Sequence, residues 1–123
     1  MLAAGLDLSI VPIEVTGQVT LGGAALDRWD AGSATARLCA ALARARRRAG
    51  SPVLHDPVAV VAALEPDLFT WQHLPLRCSG GEAHPQGTLV PDPDRGGPAH
   101  VAIAVDADAV RRRIVDAVLA APG

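Results

Sequence analysis

The sequence predicts an α/β fold built on an open sheet with helices and a β-hairpin. Three observations predict it. The elements read in the order β-α-α-α-β-β-β-α, which mixes strands and helices along the chain. Residues 8–15 are apolar or β-branched at nearly every position, as in a strand covered on both faces. Helical stretches carry apolar residues at spacings of three and four, with caps at their ends. A parallel sheet needs several fully buried strands, and only one or two read that way here. Residues 1–123 are therefore expected to be a single partial domain, the end of a larger α/β domain.

The first strand runs Leu8 to Val15, and Pro12, which cannot donate to a ladder, belongs at an edge or a strand end. Thr16 to Gly23 reads as turn, and Ala24 to Asp30 as a short helix. Ser33 is placed to cap a helix from Ala34 to Arg48 with Leu38, Ala41, Leu42 and Ala45 on its apolar face. Arg44, Arg46, Arg47 and Arg48 crowd its last turn, where cations suit the helix dipole, and Gly50 and Pro52 stop it. Asp56 is placed to accept from the first free amides of the next helix, and Pro57 suits its first position. Val58 to Leu64 continues that helix, and Glu65-Pro66-Asp67 ends it. A strand over 69–78, a polar turn from Gly80 to Gly87 and a strand over 87–91 form a hairpin. Residues 91–98 are a loop, His100 to Val105 a strand, and Asp106 caps a last helix through Leu119 with Val110, Ile114, Val118 and Leu119 on one face.

Composition narrows the function classes. The chain has 123 residues and a net charge of −2 from 11 basic and 13 acidic side chains, so a basic nucleic-acid binder is not expected. No apolar run reaches the ~18 residues of a membrane span. The start lacks the charged and apolar regions of a secretory signal, so a cytoplasmic location is the default expectation. There is no Lys and no Tyr, which excludes Schiff-base chemistry, a phosphate-loop lysine and a tyrosine acid. Cys39 and Cys78 lack the spacing of a zinc site or disulfide framework. With few aromatics, the Ala, Val and Leu core buries little area per side chain, and modest stability is expected.

The candidate chemistry centres on His55-Asp56-Pro57. A His beside an Asp at a helix start offers a proton donor and an anionic ligand at one place. The same Asp is also a common helix cap, and on the tripeptide alone that is the commoner case. His73, His84 and His100 have no ligand spacing and read as surface or hairpin residues. The Arg44–Arg48 run reads as a solvated helix end, Asp92-Pro93-Asp94 and Gly80-Gly81-Glu82 as turns, and Trp71 as packing.

Several segments, taken in order, resemble the inosine–uridine nucleoside hydrolase family in its C-terminal part. Ile10-Val11-Pro12-Ile13-Glu14-Val15-Thr16 resembles that family's Val-Pro-Leu-Asp-Val-Thr strand, with Glu14 where Asp is usual. Pro52-Val53-Leu54-His55-Asp56-Pro57-Val58-Ala59 is similar to its Pro-Leu-His-Asp-Pro-Leu-Ala motif. Leu64 to Phe69, Gly87 to Asp92, and Val101 to Val105 with the following helix resemble its later segments, so the resemblance covers nearly the whole chain.

The resemblance implies hydrolysis of the N-glycosidic bond of ribonucleosides to free base and ribose. It implies a calcium ion that holds the ribose diol and the attacking water. Asp56 would be a calcium ligand and bind substrate at the ribose hydroxyls; His55 would be the catalytic acid that protonates the leaving base. The family's Asp-x-Asp-x-Gly-x-Asp-Asp cluster, which supplies most calcium ligands and the water-activating base, is absent from this sequence. The chain alone is therefore expected to be inactive and not to bind calcium, with another polypeptide completing the site for the ribonucleoside substrate. The alternative is a non-catalytic remnant or interaction module that binds a partner chain, or itself, through its incomplete sheet.

Overall fold

The structure is a computed structural model that describes residues 2–4, 6–46, 50–81 and 83–122. It divides into two compact units, Met1–Pro12 with Thr70–Ala104 and Ile13–Phe69 with Val105–Gly123. The mixed α/β class is as the sequence predicts. No helix among the described residues is long and apolar enough to cross a membrane.

The first unit holds a four-stranded sheet in the order β1-β4-β2-β3. Strand β1 (Ser9–Ile10) runs parallel to β4 (Gly97–Val105), with Ser9 opposite His100 and Ile10 opposite Val101. Strands β2 (Phe69–Cys78) and β3 (Leu89–Pro91) form the expected antiparallel hairpin, with Leu76 opposite Pro91 and Cys78 opposite Leu89. Ala99 and Val101 are buried while His100 between them is exposed, so this stretch of β4 buries one face only. Leu76 joins Ala99 and Val101 in the core, with Leu2, Leu8, Ile10 and Leu74 packed against them.

Two turns organise this unit. In the hairpin, buried Ser79 donates through Oγ to the His84 carbonyl at 2.9 Å and accepts from Gly81 N at 3.2 Å. Gly81 and Gly87 take φ of +110° and +89°, a region costly for other residues. The Asp92 carboxylate accepts from the amides of Asp94 (3.1 Å) and Arg95 (3.0 Å) and pairs with Arg77 at 2.7 Å. The Arg95 amide is the largest influence holding the Asp92 carboxyl below the usual carboxylate range, with the Arg77 guanidinium and the Asp94 amide adding to it.

The second unit is helical. Its helices are α1 (Ile13–Thr16), α2 (Gly23–Asp30), α3 (Ala34–Ala45), α4 (His55–Leu64) and α5 (Ala107–Ala120). Ser33 caps α3 by accepting from Ala36 N, and Asp106 caps α5 by accepting from Ala109 N, both as predicted. The core gathers Leu26 and Trp29 of α2, Ala36 and Ala40 of α3, Val58 and Val61 of α4, and Val110, Ile114 and Val115 of α5. The buried Trp29 indole donates to the Val115 carbonyl at 3.2 Å. Arg44 grips Asp30 through two nitrogens, at 2.9 and 2.6 Å, and reaches Asp27 at 3.5 Å, which links α3 to α2. The hydrogen bond to Asp30 is the first cause of the raised Arg44 pKa.

Several expectations are corrected here. The first strand is two residues rather than eight: beyond Pro12, which interrupts the ladder, the chain turns into α1. Nor is it covered on both faces, since Ser9 is exposed and Ile10 half-buried. Helix α3 buries Ala36 and Ala40, whereas Leu38 and Leu42 are 60% and 56% exposed. The close seat of α3 admits small residues and turns the larger ones outward. That helix ends at Ala45; Arg47 and Arg48 of the arginine run, like Glu82 of the Gly80–Glu82 turn, lie outside the described residues. Strand β4 starts three residues before His100, because the 91–98 loop closes into a tight turn at Asp92.

Candidate functional site

His55 is the first residue of α4 and Asp56 the second. The segment before them is fixed by backbone pairing with residues 19–21. Leu54 N donates to the Val19 carbonyl at 3.1 Å, Leu21 N to the Pro52 carbonyl at 2.9 Å, and Thr20 and Val53 form an isolated antiparallel bridge. Val19 and Leu21 are fully buried, as is Val58 one turn into α4. Each such side chain favours the folded state by about 1.5–3 kcal/mol, so the helix start is anchored from both sides. From α5, Arg111 Nε donates to the Thr20 carbonyl at 2.7 Å and secures the same segment.

Asp56 does not cap the helix. The capping position is Leu54, and no side chain accepts from the first amides there. The helix starts two residues earlier than the sequence suggests, so both His55 and Asp56 fall within the first turn and Pro57 takes its third position. Asp56 is exposed, and a carboxylate in a first turn is favoured by the helix dipole. His55 is also exposed, but one edge of its ring is held. Its Nδ1 lies 2.7 Å from the hydroxyl of Thr16, which is 4% exposed at the end of α1. The same hydroxyl donates to the Ile13 carbonyl at 3.4 Å.

Beside this pair opens a cleft of about 660 Å³, lined by His55 and Asp56 together with Leu42, Arg46, Pro52 and Leu54. Its volume is in the range of small-molecule sites. Its wall brings together an imidazole, a carboxylate and a guanidinium with apolar side chains. That set can donate a proton, bind a hydroxyl pair or a cation, and cover a flat ring. A second cleft of about 570 Å³, lined by Trp29, Leu42, Val60, Leu64 and Val118 among others, is apolar.

Other sequence candidates belong to the sheet unit. Asp92 is engaged within its own turn, and His73 and His100 stand edge to face at 5.0 Å in the sheet unit. Trp71 is half-buried on β2. Among the described residues, no three His, Cys, Asp or Glu side chains gather in a way that could hold a metal ion. Thr16 is the site residue that sequence reasoning missed. It lies 39 residues before His55. The one available signal was that both residues sit in segments carrying the resemblance.

Comparison with known proteins bears on this geometry. Residues 1–112 match the family described as inosine-uridine preferring nucleoside hydrolase. Among solved structures, the chain is similar to a plant nucleoside hydrolase at 25% identity and a TM-score of 0.83, covering 97% of this chain and 43% of that one. It is similar in fold to a purine-preferring ribonucleoside hydrolase from Gardnerella vaginalis (20% identity, TM-score 0.79, 94% of this chain and 40% of that one). An inosine-uridine preferring nucleoside hydrolase from Bacillus anthracis shares the fold at 20% identity and a TM-score of 0.77, over 96% of this chain and 38% of that one. The chain thus spans about two fifths of the length of these structures. No curated protein matches it.

Proposed function

The chain belongs to the inosine-uridine preferring nucleoside hydrolase family, and from that premise we propose that it carries the leaving-group half of a nucleoside N-ribohydrolase site. The substrate class is a ribonucleoside, cleaved to base and ribose. His55 would protonate the departing base, which leaves poorly as an anion, and a general acid of this kind is worth roughly a hundred- to ten-thousandfold in rate. Asp56 would bind at the ribose hydroxyls. The observation that supports this reading is that His55 and Asp56 share one helical turn and one cleft wall, with the His55 ring tethered by Thr16.

The described residues do not by themselves fit a calcium ion. Calcium takes 6 to 8 oxygens, and Asp56 offers one carboxylate with no acidic cluster around it. Asp56 would be one ligand of a site whose remaining carboxylates lie outside these 123 residues. The test supplies those carboxylates in trans. The 123-residue chain is mixed with a fragment bearing the family's N-terminal Asp cluster, and ribose release from inosine is followed. Calcium-dependent release that falls at least a hundredfold with His55→Ala, and is lost with Asp56→Ala, supports the reading. Release indifferent to both substitutions overturns it.

A second reading, a non-catalytic module that associates through its sheet, draws on the position of the two-residue β1 at the end of the strand order. Open sheet edges promote pairing. A concentration-dependent shift in sizing, with no nucleoside hydrolysis in the mixing experiment, would favour it. A sharp monomer peak at high concentration would dismiss it.

A further inference from the structure

We propose that Thr16 is a positioning residue for His55: its hydroxyl accepts a hydrogen bond from Nδ1–H and donates its own to the Ile13 carbonyl, so the ring is held in the tautomer that leaves Nε2 as its exchanging nitrogen. The inference rests on the reading of His55 as the acid. Its geometry stands independently of that reading.

A threonine hydroxyl has one proton to give and two lone pairs to receive with. Two polar atoms lie within its reach, His55 Nδ1 at 2.7 Å and the Ile13 carbonyl oxygen at 3.4 Å. A carbonyl can only accept. If the hydroxyl proton went to Nδ1, the Ile13 contact would not form. If it goes to Ile13, Oγ1 is free to accept from Nδ1–H and both contacts are satisfied. The Ile13 carbonyl has a second lone pair for this, the first being taken by Gly17 N at 2.8 Å. Thr16 is 4% exposed, so water does not readily complete its bonding, and the arrangement with two partners is favoured.

The consequence is chemical. With Nδ1–H donated to Thr16, proton transfer to a leaving base breaks the Nε2–H bond, forms a new N–H bond on the base, and leaves the Nε2 lone pair behind. Nothing changes at Nδ1. The hydrogen bond to Thr16 persists before and after the step, so the ring need not reorient as its charge changes. A hydroxyl that donated to Nδ1 would have to reverse direction whenever the ring carried both protons.

The test reads the tautomer directly and needs no activity. The chain is labelled with ¹⁵N-histidine, and long-range proton–nitrogen correlations are recorded at a pH where the ring is neutral. The His55 signals are assigned by their disappearance in His55→Gln. The expected result is a protonated, pyrrole-like Nδ1 and an unprotonated Nε2. In Thr16→Val that pattern is lost toward the Nε2–H tautomer that free histidine favours in water, and Thr16→Ser keeps the wild-type pattern. A wild-type ring protonated at Nε2, or a folded Thr16→Val with an unchanged tautomer, overturns the proposal. If the valine variant does not fold, the wild-type and serine spectra still decide. Should the tautomer be as expected while His55→Ala leaves base release intact in the mixing experiment, the acid reading falls and the hydrogen-bond assignment stands.

Discussion

At the scale of single residues, the backbone sets limits that side-chain chemistry cannot relax. A Cβ on Gly96 would lie 2.5 Å from the Asp92 carbonyl oxygen, 2.5 Å from the Pro75 carbonyl carbon and 2.7 Å from Leu76 N, all main-chain atoms. Gly96→Ala should therefore destabilise the sheet unit by about 1–3 kcal/mol, read as a lower urea midpoint. The Asp92 carboxyl beside it gives a pH signature. Its pKa is lowered in the folded state from the ordinary 3.8. Its contribution is then complete above that value and is lost as pH falls below 3.8 through the folded value. Asp92→Asn should lower the urea midpoint at neutral pH and have progressively less effect below 3.8; a gap that widens in acid would contradict the assignment. Site residues were legible unevenly at this scale. His55 and Asp56 are adjacent in the chain, so a local motif finds them. Thr16 reaches His55 through the pairing of residues 19–21 with 52–54, and no periodicity in the sequence announces that pairing.

At the scale of elements, legibility followed how local the determining physics was. Caps act over three residues, and Ser33 and Asp106 were readable because serine and aspartate accept from amides three positions on. The hairpin was readable from its alternation and turn residues. The first strand was misjudged because apolar, β-branched composition does not distinguish a strand from a short helix behind a proline. The buried face of α3 was misjudged because its alanines, not its leucines, meet the core, where a Cβ on Gly32 would already come within 2.9 Å of the Ala36 Cβ. These two kinds of interaction should differ in cost. Ser33→Ala removes one cap at about 1 kcal/mol. Trp29→Ala removes the largest side chain in the helical core and the bond to the Val115 carbonyl, and should cost about 3–5 kcal/mol. Denaturant titrations that rank them in the opposite order would show that helix capping, not α2–α5 packing, holds this unit.

At the scale of the whole molecule, the question is what chemistry 123 residues can complete. The chain matches the family over residues 1–112 yet spans about two fifths of the solved structures it resembles. It carries one histidine and one carboxylate on the cleft wall, and no cluster of three metal-ligating side chains among the described residues. Hydrolysis of an N-glycosidic bond requires a positioned ribose, an activated water and a protonated leaving base at the same moment. On the proposed reading, His55 would address only the last of these. Loss of positioning by itself can forfeit several kcal/mol of barrier lowering, roughly 7–11 kcal/mol in the best-oriented cases. The purified chain is therefore expected to release no measurable ribose from inosine or uridine, even in millimolar calcium. The measurement is a reducing-sugar assay run beside the mixture with the Asp-cluster fragment. Ribose released by the chain alone, dependent on calcium and abolished by Asp56→Ala, would mean that a second copy of the chain completes the ion's oxygen shell. Silence from the chain alone, with turnover restored by the fragment, would locate the missing water-activating carboxylates outside these 123 residues.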